Sequence, residues 1–277
     1  MIKRAYGKVN LSIDVICRNE QGYHDLDMIE LPIDLYDEIE MEVADQPFYC
    51  CNADLPFDEK NLIWKAIELL RAEYGFKEQF EIRVTKRIPM NAGLAGGSSN
   101  AAATIRLVNE LLNLQMSEER MIELGKKLGA DVPFCLVSKP ARVRGIGEII
   151  EPFELEKGYG ILLIKPQQGV STREAYETLQ IDQAEHPDIP KIREALISHQ
   201  PLDGLLGNSL QQSAFRLLPE IESIIEQCRK LGYGNAIMSG SGSTCFVLFE
   251  LDQDISELEV KMQKQYPFVC KTAILTE

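Results

Sequence analysis

The chain has 277 residues, an apolar content of 45%, a charged content of 26% and a formal net charge of −14. This charge disfavours nucleic acids and anionic membranes as partners, because both select basic surfaces. The sequence has no run of about 18 apolar residues and no signal-peptide core near its start, so we expect a cytoplasmic protein without a membrane span. Seven scattered cysteines without a CxxC pair predict neither a disulfide framework nor a zinc site.

The first segment, residues 1–16, alternates apolar and polar residues and is predicted to form a strand. Its apolar face carries every second residue from Val9 to Val15, and its polar face carries Lys8, Asn10 and Ser12. We expect the apolar face to pack against the core. The polar face then either addresses a ligand or is exposed to solvent.

A turn and a second strand come next. The turn contains Gly22, Tyr23 and His24, and the strand is predicted near residues 28–37. The tyrosine offers a flat ring, and the histidine offers a ring nitrogen that can donate or accept a hydrogen bond. Without further information, a lone loop histidine is as well explained by the protein surface as by a ligand.

A helix and a third strand lead up to the middle of the chain. Residues 58–70 carry apolar side chains at helical spacing, with Asn61 as a candidate cap. Residues 80–86 alternate apolar and polar side chains, which predicts a strand that ends at Lys86. Lys86, at the end of this strand, is either exposed to solvent or in contact with a ligand.

The segment from Pro89 to Asn100 reads PMNAGLAGGSSN and precedes a helix predicted over residues 101–114. Gly93, Gly96 and Gly97 lack a Cβ atom, so the backbone can adopt positive φ and a ligand can approach its amides. The positive end of the following helix favours an anion, and phosphate is the natural candidate. The alternative is a loop that only turns the chain.

Three polar residues at the end of this segment are predicted to cap the helix: Ser98, Ser99 or Asn100. The segment is not a P-loop, because no Gly-Lys-Ser/Thr follows the glycines, and it does not contain the G-x-G-x-x-G dinucleotide fingerprint. The type of phosphate ligand therefore depends on the rest of the chain.

An isolated acidic residue follows the next predicted helix, which covers residues 117–128. Asp131 lies in the segment Gly-Ala-Asp-Val-Pro-Phe, at the start of an apolar stretch that contains a proline. It is either a turn cap or a carboxylate that is presented for chemistry.

The second half of the chain alternates strands and helices, with a domain boundary predicted between residues 154 and 155. Near its end, a second glycine–serine loop, Ser239 to Ser243, is predicted to lie between two strands. This loop is longer than a two-residue hairpin requires. The predicted elements are a strand pair at 141–150, a strand at 159–166, helices at 171–179 and 219–230, and a helix and a strand within 255–275.

The glycine-rich segment resembles the Pro-x-x-x-Gly-Leu-x-Gly-Gly-Ser-Ser-x-Ala-Ala phosphate loop of the GHMP small-molecule kinases. The segments around Asp131 and from Met238 to Ser243 resemble two further motifs of that family. The stretches Gly-Lys-Val-Asn-Leu, Gly-Tyr-His and Ile-Asp-Leu-Tyr-Asp are similar to one branch of it, whose acceptor carries a cytidine diphosphate group. The resemblance covers nearly the whole chain.

The resemblance implies a two-domain α+β GHMP kinase fold. Residues 1–154 would form an N-terminal mixed-sheet domain with a left-handed βαβ unit, which is contrary to the usual right-handed preference. Residues 155–277 would form a ferredoxin-like C-terminal domain.

The resemblance also implies transfer of the γ-phosphoryl group of ATP to the 2-hydroxyl of a diphosphocytidyl methylerythritol, in non-mevalonate isoprenoid synthesis. Asp131 would accept the hydroxyl proton, and Lys8 would counter negative charge in the transition state. Mg²⁺ would bridge phosphate oxygens with few or no protein ligands. The ATP-binding residues would be Pro89, Met90, Asn91, Ala92, Gly93, Leu94, Ala95, Gly96, Gly97, Ser98 and Ser99, with Asn61 and Lys86 nearby.

For the acceptor, the resemblance implies a pyrimidine between Tyr23 and Tyr176, with a hydrogen bond from His24 and with Asn10 at the erythritol hydroxyls. Gln211 stands where the family typically has a glutamate, so the charge expected there is missing. The expected partner is the small-molecule cytidyl substrate, with no nucleic acid or membrane, and the chain is expected to be a monomer or a weak homodimer.

Two alternatives stay open. Another GHMP kinase, of the mevalonate pathway or for homoserine, is disfavoured by the Gly22-Tyr23-His24 element. A nucleotide-binding protein that has lost transfer activity is disfavoured by the presence of both Lys8 and Asp131.

Overall fold

The computed structural model describes residues 1–20 and 22–276, and its contacts divide the chain into two compact units. The first unit comprises residues 1–7, 35–89 and 95–138, and the second comprises the described residues within 8–34, 90–94 and 139–277. The predicted domain boundary between residues 154 and 155 stays a prediction. None of the helices in the described ranges is both long and apolar enough to cross a membrane.

Two long strands, β1 (Ile2–Arg18) and β2 (His24–Ala44), begin the chain and pair with each other. Both were predicted, and β2 is longer at each end than the expected 28–37. The polar face of β1 is not exposed to solvent, because Lys8, Asn10 and Ser12 are all buried. Of the two interpretations of this face, solvent exposure is therefore wrong.

In the first unit, the next elements are β3 (Phe48–Cys51), α1 (Leu62–Tyr74) and β4 (Gln79–Thr85). β4 lies parallel to β3 and antiparallel to residues 38–44 of β2. The connection from β3 to β4 runs through α1, so this is a βαβ unit, whose hand stays a prediction. The unit then continues with α2 (Gly96–Leu111), α3 (Glu118–Lys126) and α4 (Val132–Val137).

The core of the first unit lies between β4 and the helices. Phe80, Ile82 and Val84 alternate toward this core, as the period of two predicts. The small side chains of residues 101–103 on α2 are buried, and α1 packs against α2. Short side chains let two helix backbones approach closely, so this pair closes one side of the core.

The second unit begins with the predicted glycine-linked strand pair, β5 (Ala141–Gly145) and β6 (Ile149–Pro152). β5 is antiparallel to residues 26–30 of β2, and β6 is antiparallel to β5. This pairing places β5 beside the segment of β2 that carries Glu30.

The remaining elements of the second unit form a four-stranded antiparallel sheet with helices. They are β7 (Gly160–Lys165), α5 (Thr172–Glu177), α6 (Ile189–Ile197), α7 (Gln211–Leu217), α8 (Glu220–Lys230), β8 (Ile237–Met238), β9 (Cys245–Phe249), α9 (Ser256–Gln263) and β10 (Phe268–Ala273). The strand order is β10–β7–β9–β8. With helices after β7 and after β9, this is the ferredoxin-like arrangement that the resemblance implied.

The burial of β7 and α8 explains why the sequence pattern predicted these two elements. All six residues of β7 are buried, as its continuous apolar run predicts for a central strand. The apolar stripe of α8 faces β8 and β9, and it consists of Ile221, Ile224, Ile225 and Cys228. The expected α+β architecture is therefore confirmed.

Candidate active site

The glycine-rich turn of the first unit differs from its predicted form. α2 begins at Gly96, and its N-cap residue Ala95 has a φ of 55° and makes no side-chain capping hydrogen bond. The predicted cap by Ser98, Ser99 or Asn100 is therefore wrong. The amides of the first helical residues have no acceptor within the helix, so they can donate hydrogen bonds to a ligand.

Two of the three side chains that were expected to cap α2 have partners elsewhere in the first unit. The Ser99 hydroxyl donates a hydrogen bond to the Tyr6 carbonyl. The Asn100 amide nitrogen donates to Asp37 at 2.9 Å, and its oxygen accepts from Lys86 at 3.1 Å. Because Ser99 and Asn100 bind these tertiary partners, their side chains do not cap the amides at the start of α2.

The Lys86 ammonium lies close to Gly96, the first residue of α2. A Cβ atom built on Gly96 would come within 3.3 Å of the Lys86 ammonium. The ammonium forms an ion pair with Asp37, which is fully buried and also accepts the N–H groups of Arg87 at 2.7 Å and Ile88 at 2.9 Å. The Lys86–Asp37 ion pair and the helix amides thus lie close together at the predicted phosphate-binding turn.

Asp131 lies at the N-terminus of α4 and makes no capping hydrogen bond to that helix. The Cys135 amide, one turn later, donates to the Asp131 carbonyl at 3.1 Å, and the Cys135 sulfur is 3.4 Å from the Ser99 hydroxyl. The residue predicted as catalytic base is therefore one helical turn away from a contact with the first turn of α2. Its chemical role stays a prediction.

Asn61 is the N-cap of α1, as one of its two interpretations predicted. Its oxygen accepts from the Ile63 amide at 2.9 Å, and its nitrogen donates to the Pro56 carbonyl at 2.8 Å and the Tyr49 hydroxyl at 3.3 Å. Burial raises the pKa of Tyr49, whose ring stacks on Phe57 with centroids 4.6 Å apart. The nucleotide contact proposed for Asn61 stays a prediction.

In the second unit, β1 and β2 bring together a buried polar group that we call the Lys8–Asn10–Glu30 cluster. The Lys8 ammonium donates to the Asn10 oxygen at 2.8 Å and forms an ion pair with Glu30. The Asn10 nitrogen donates to Glu30 at 2.9 Å and lies 3.3 Å from the Met28 sulfur. Two of the predicted site residues are thus in contact, and a third, unpredicted residue connects them.

The second glycine–serine loop is attached to this cluster. The Ser239 hydroxyl accepts a hydrogen bond from the backbone N–H of Asn10 at 3.1 Å and donates one to the Gly93 carbonyl at 3.0 Å. The Lys8 amide donates to the Leu94 carbonyl at 3.1 Å. Ser239 therefore ties β1 to the 90–94 part of the glycine-rich segment.

Asn208 and Gln211 hold the same loop from its other side. The Asn208 nitrogen donates to the carbonyls of Met238 and Gly240, both at 2.9 Å. The Gln211 oxygen accepts from the Met238 amide at 3.3 Å. Although it lacks the charge of the glutamate expected here, the glutamine supplies the acceptor that this amide needs.

A pocket of about 390 Å³ lies within the second unit. Ser171 caps α5, and the hydroxyls of Thr172 and Ser241 are 2.8 Å apart. The wall of the pocket is thus rich in glycine backbone and hydroxyl groups, which suits a polar part of a small ligand. The residues that line it are Asn91, Gly93, Gly169, Val170, Ser171, Thr172 and Gly242.

The aromatic residues predicted to bind a pyrimidine are only partly together. His24 stacks on Tyr176 with ring centroids 4.9 Å apart, whereas the Tyr23 side chain is exposed. Burial, and secondarily the charge of Arg18, lowers the pKa of His24, which favours the neutral ring. A neutral ring can both donate and accept a hydrogen bond.

Glu30 and Asp37 are the residues at these two sites that sequence reasoning did not single out. The available signal was the same for both: an acidic residue at a position where the strand is otherwise buried. Glu30 stands between the buried residues Ile29 and Leu31. Because a buried carboxylate requires partners, such a residue marks a polar group within the core.

Two family models match the chain. The model of the GHMP kinases N terminal domain matches residues 61–139, and that of the GHMP kinases C terminal matches residues 181–267. The 4-diphosphocytidyl-2-C-methyl-D-erythritol kinase of Bacillus subtilis (strain 168) is 39% identical over 263 residues, which are 93% of this chain and 91% of that protein.

Solved structures agree with these sequence matches. A crystal structure of 4-(cytidine 5'-diphospho)-2C-methyl-D-erythritol kinase superposes with a TM-score of 0.85 and 30% identity, covering 99% of each chain. Homoserine kinase from Cytophaga hutchinsonii superposes with a TM-score of 0.74 at 17% identity, covering 99% of this chain and 94% of its own. The second similarity, at this low identity, shows a shared fold alone.

Proposed function

The chain belongs to the 4-diphosphocytidyl-2-C-methyl-D-erythritol kinases of the GHMP family, and we propose that it transfers the γ-phosphoryl group of ATP to the 2-hydroxyl of that diphosphocytidyl alcohol. The observation that carries the proposal is the uncapped first turn of α2 close to Lys86. The unbonded amides and the positive end of the dipole at a helix N-terminus favour a phosphate group.

The donor residues of the first unit fit a nucleotide. The N–H groups of Gly96, Gly97 and Ser98 would hold phosphate oxygens, and the Lys86 ammonium lies close to Gly96. Among residues 1–20 and 22–276, no three His, Cys, Asp or Glu side chains form a group that could hold a metal ion. Mg²⁺, bound together with the nucleotide, would add positive charge at its phosphates.

Asp131 and Lys8 would supply the chemistry. The Asp131 carboxylate would take the proton from the attacking hydroxyl. The buried Lys8 ammonium would stabilise the negative charge that develops on the transferring group. Asn10, hydrogen-bonded to Lys8, would orient the acceptor hydroxyls.

His24 and Tyr176 support the assignment of a cytidyl acceptor. Their stacked pair offers an aromatic surface and a neutral imidazole, which can recognise a pyrimidine by stacking and by a hydrogen bond. The cytoplasm, and a monomer or weak homodimer, stay the expected compartment and assembly.

An ADP-release assay with ATP, Mg²⁺ and the cytidyl alcohol tests the proposal directly. We expect activity from the parent and a loss of about a hundredfold or more in Asp131→Asn and Lys8→Ala. Asp45→Asn and Lys60→Ala, which change exposed residues of the same types, serve as matched controls and should retain activity.

The same assay also tests which alcohol is the acceptor. Mevalonate and homoserine replace the cytidyl alcohol, and we expect no ADP release from either. Activity with one of these and not with the cytidyl alcohol would overturn the substrate. An Asp131→Asn protein as active as its control would remove Asp131 as the base.

A further inference from the structure

Glu30 is buried to 1% exposure in an apolar part of β2, and no role follows for it from the resemblance. A single oxygen, Oε1, accepts from both the Lys8 ammonium and the Asn10 amide nitrogen. One carboxylate oxygen therefore joins the two polar residues of β1 that the proposed function uses.

This contact determines the orientation of Asn10. The amide nitrogen must point to Glu30 because a carboxylate only accepts hydrogen bonds. The amide oxygen then faces the Lys8 ammonium, from which it accepts at 2.8 Å. If Glu30 were not an acceptor, both the amide orientation and the position of the ammonium would lose their common anchor.

We propose that Glu30 is a positioning residue of the transfer reaction, which holds Lys8 and Asn10 in the arrangement that acts on the acceptor alcohol. The inference rests on the proposed function. It adds that the cytidyl alcohol meets an ammonium and an amide that were set in place by a buried carboxylate before the alcohol binds. Such preorganisation raises the rate because the groups do not have to reorient in the transition state.

Stability alone does not account for a charge at this position. The neighbouring residues Ile29 and Leu31 are fully buried and apolar, so apolar side chains in place of the whole Lys8–Asn10–Glu30 cluster would suit the two strands. Buried ion pairs commonly contribute no more to folding than apolar residues of the same volume do. The polar partners of Glu30, Lys8 and Asn10, are also the residues that the proposed phosphoryl transfer uses.

The first experiment compares the parent with Glu30→Gln, Glu30→Asp and the exposed control Glu40→Gln, which lies on the same strand. Misplacing a reacting group by about 1 Å can cost about a hundredfold in rate. Glu30→Gln keeps an oxygen that can accept a hydrogen bond but removes the charge that holds the Lys8 ammonium. We therefore expect it to lower kcat about a hundredfold and to leave the KM for ATP unchanged. Glu30→Asp keeps the charge and should recover part of the rate.

A second experiment asks whether Glu30 acts through Asn10. Replacing Glu30 by Gln in an Asn10→Ala background should lower kcat by a smaller factor than in the parent, because one of its targets is gone. Equal factors in both backgrounds would contradict the proposal. Thermal unfolding of every variant shows whether a rate loss follows from unfolding.

The outcomes separate this inference from the proposed function. A parent that releases no ADP with the cytidyl alcohol overturns the proposed function, whatever Glu30 does. An active parent whose Glu30→Gln variant matches Glu40→Gln overturns only the positioning role. Glu30→Met removes the charge at similar volume, and if neither Glu30→Met nor Glu30→Gln folds, the role is structural and the inference fails.

Discussion

Gly93 is a residue of the second unit at which a single added methyl group should be strongly destabilising. Its φ is +70°, and a Cβ atom there would lie 2.4 Å from the Ser239 carbonyl oxygen and 3.0 Å from that of Gly242. Both neighbours are backbone atoms, which cannot move aside as a flexible side chain would. We predict that Gly93→Ala destabilises the protein strongly.

The magnitude follows from two separate contributions. A left-handed backbone costs a residue other than glycine about 1–2 kcal/mol. The overlap with the backbone adds about 1–3 kcal/mol, the usual cost of overpacking. Gly204 isolates the first contribution, because its φ is +72° and no atom lies within 4 Å of its Cβ position. Gly93→Ala should therefore cost about 1–3 kcal/mol more than Gly204→Ala.

Thermal and denaturant unfolding of the parent and of both variants measures this difference. At about 2–4 °C per kcal/mol, Gly93→Ala should unfold roughly 2–12 °C below Gly204→Ala. Equal losses of stability in the two variants would refute the reasoning, because the close approach of the 90–94 segment to the Ser239 loop would then carry no cost.

Three further predictions concern charged and capping groups. The hydrogen bond to Asp14 raises the pKa of His186 above its ordinary 6.5, so its stabilisation is complete below pH 6.5 and is lost as the pH rises through the folded-state pKa. The unfolding midpoints of the parent and His186→Gln should converge across that window, and a constant gap would contradict this. Asp37→Asn leaves the Lys86 ammonium without its buried partner and should lower the free energy of unfolding by about 3–5 kcal/mol in denaturant titrations. Asn61→Ala removes the cap of α1 and should cost about 1 kcal/mol by the same measurement, whereas a parent-like midpoint would argue against the cap.

The elements that the sequence predicted well depend on residues close together in the chain. The alternation of β4 and the apolar stripe of α8 repeat every few residues, so the pattern itself shows which face is buried. The caps at Ser117 and Ser171 are also local, because each side chain bonds an amide three residues ahead. The family motifs are local in the same sense.

The start of α2 is a place where prediction from neighbouring residues failed. Ser99 and Asn100 have the right chemistry and nearly the right positions to cap a helix. Their side chains bind Tyr6 and Asp37 instead, residues that lie 93 and 63 positions away in the chain. A side chain that is hydrogen-bonded to a residue far along the chain does not also cap the helix, so the local sequence pattern alone does not predict the cap.

The sequence by itself determined most of the elements, the kinase motifs and the choice of Lys8 and Asp131 as candidates, because each of these depends on residues close together in the chain. It did not predict β3, α4 or α7. Only the tertiary structure decided that Glu30 joins Lys8 to Asn10 and that Asp37 holds Lys86 close to the helix turn. A buried carboxylate requires a donor, and that donor came from another strand or from far along the chain.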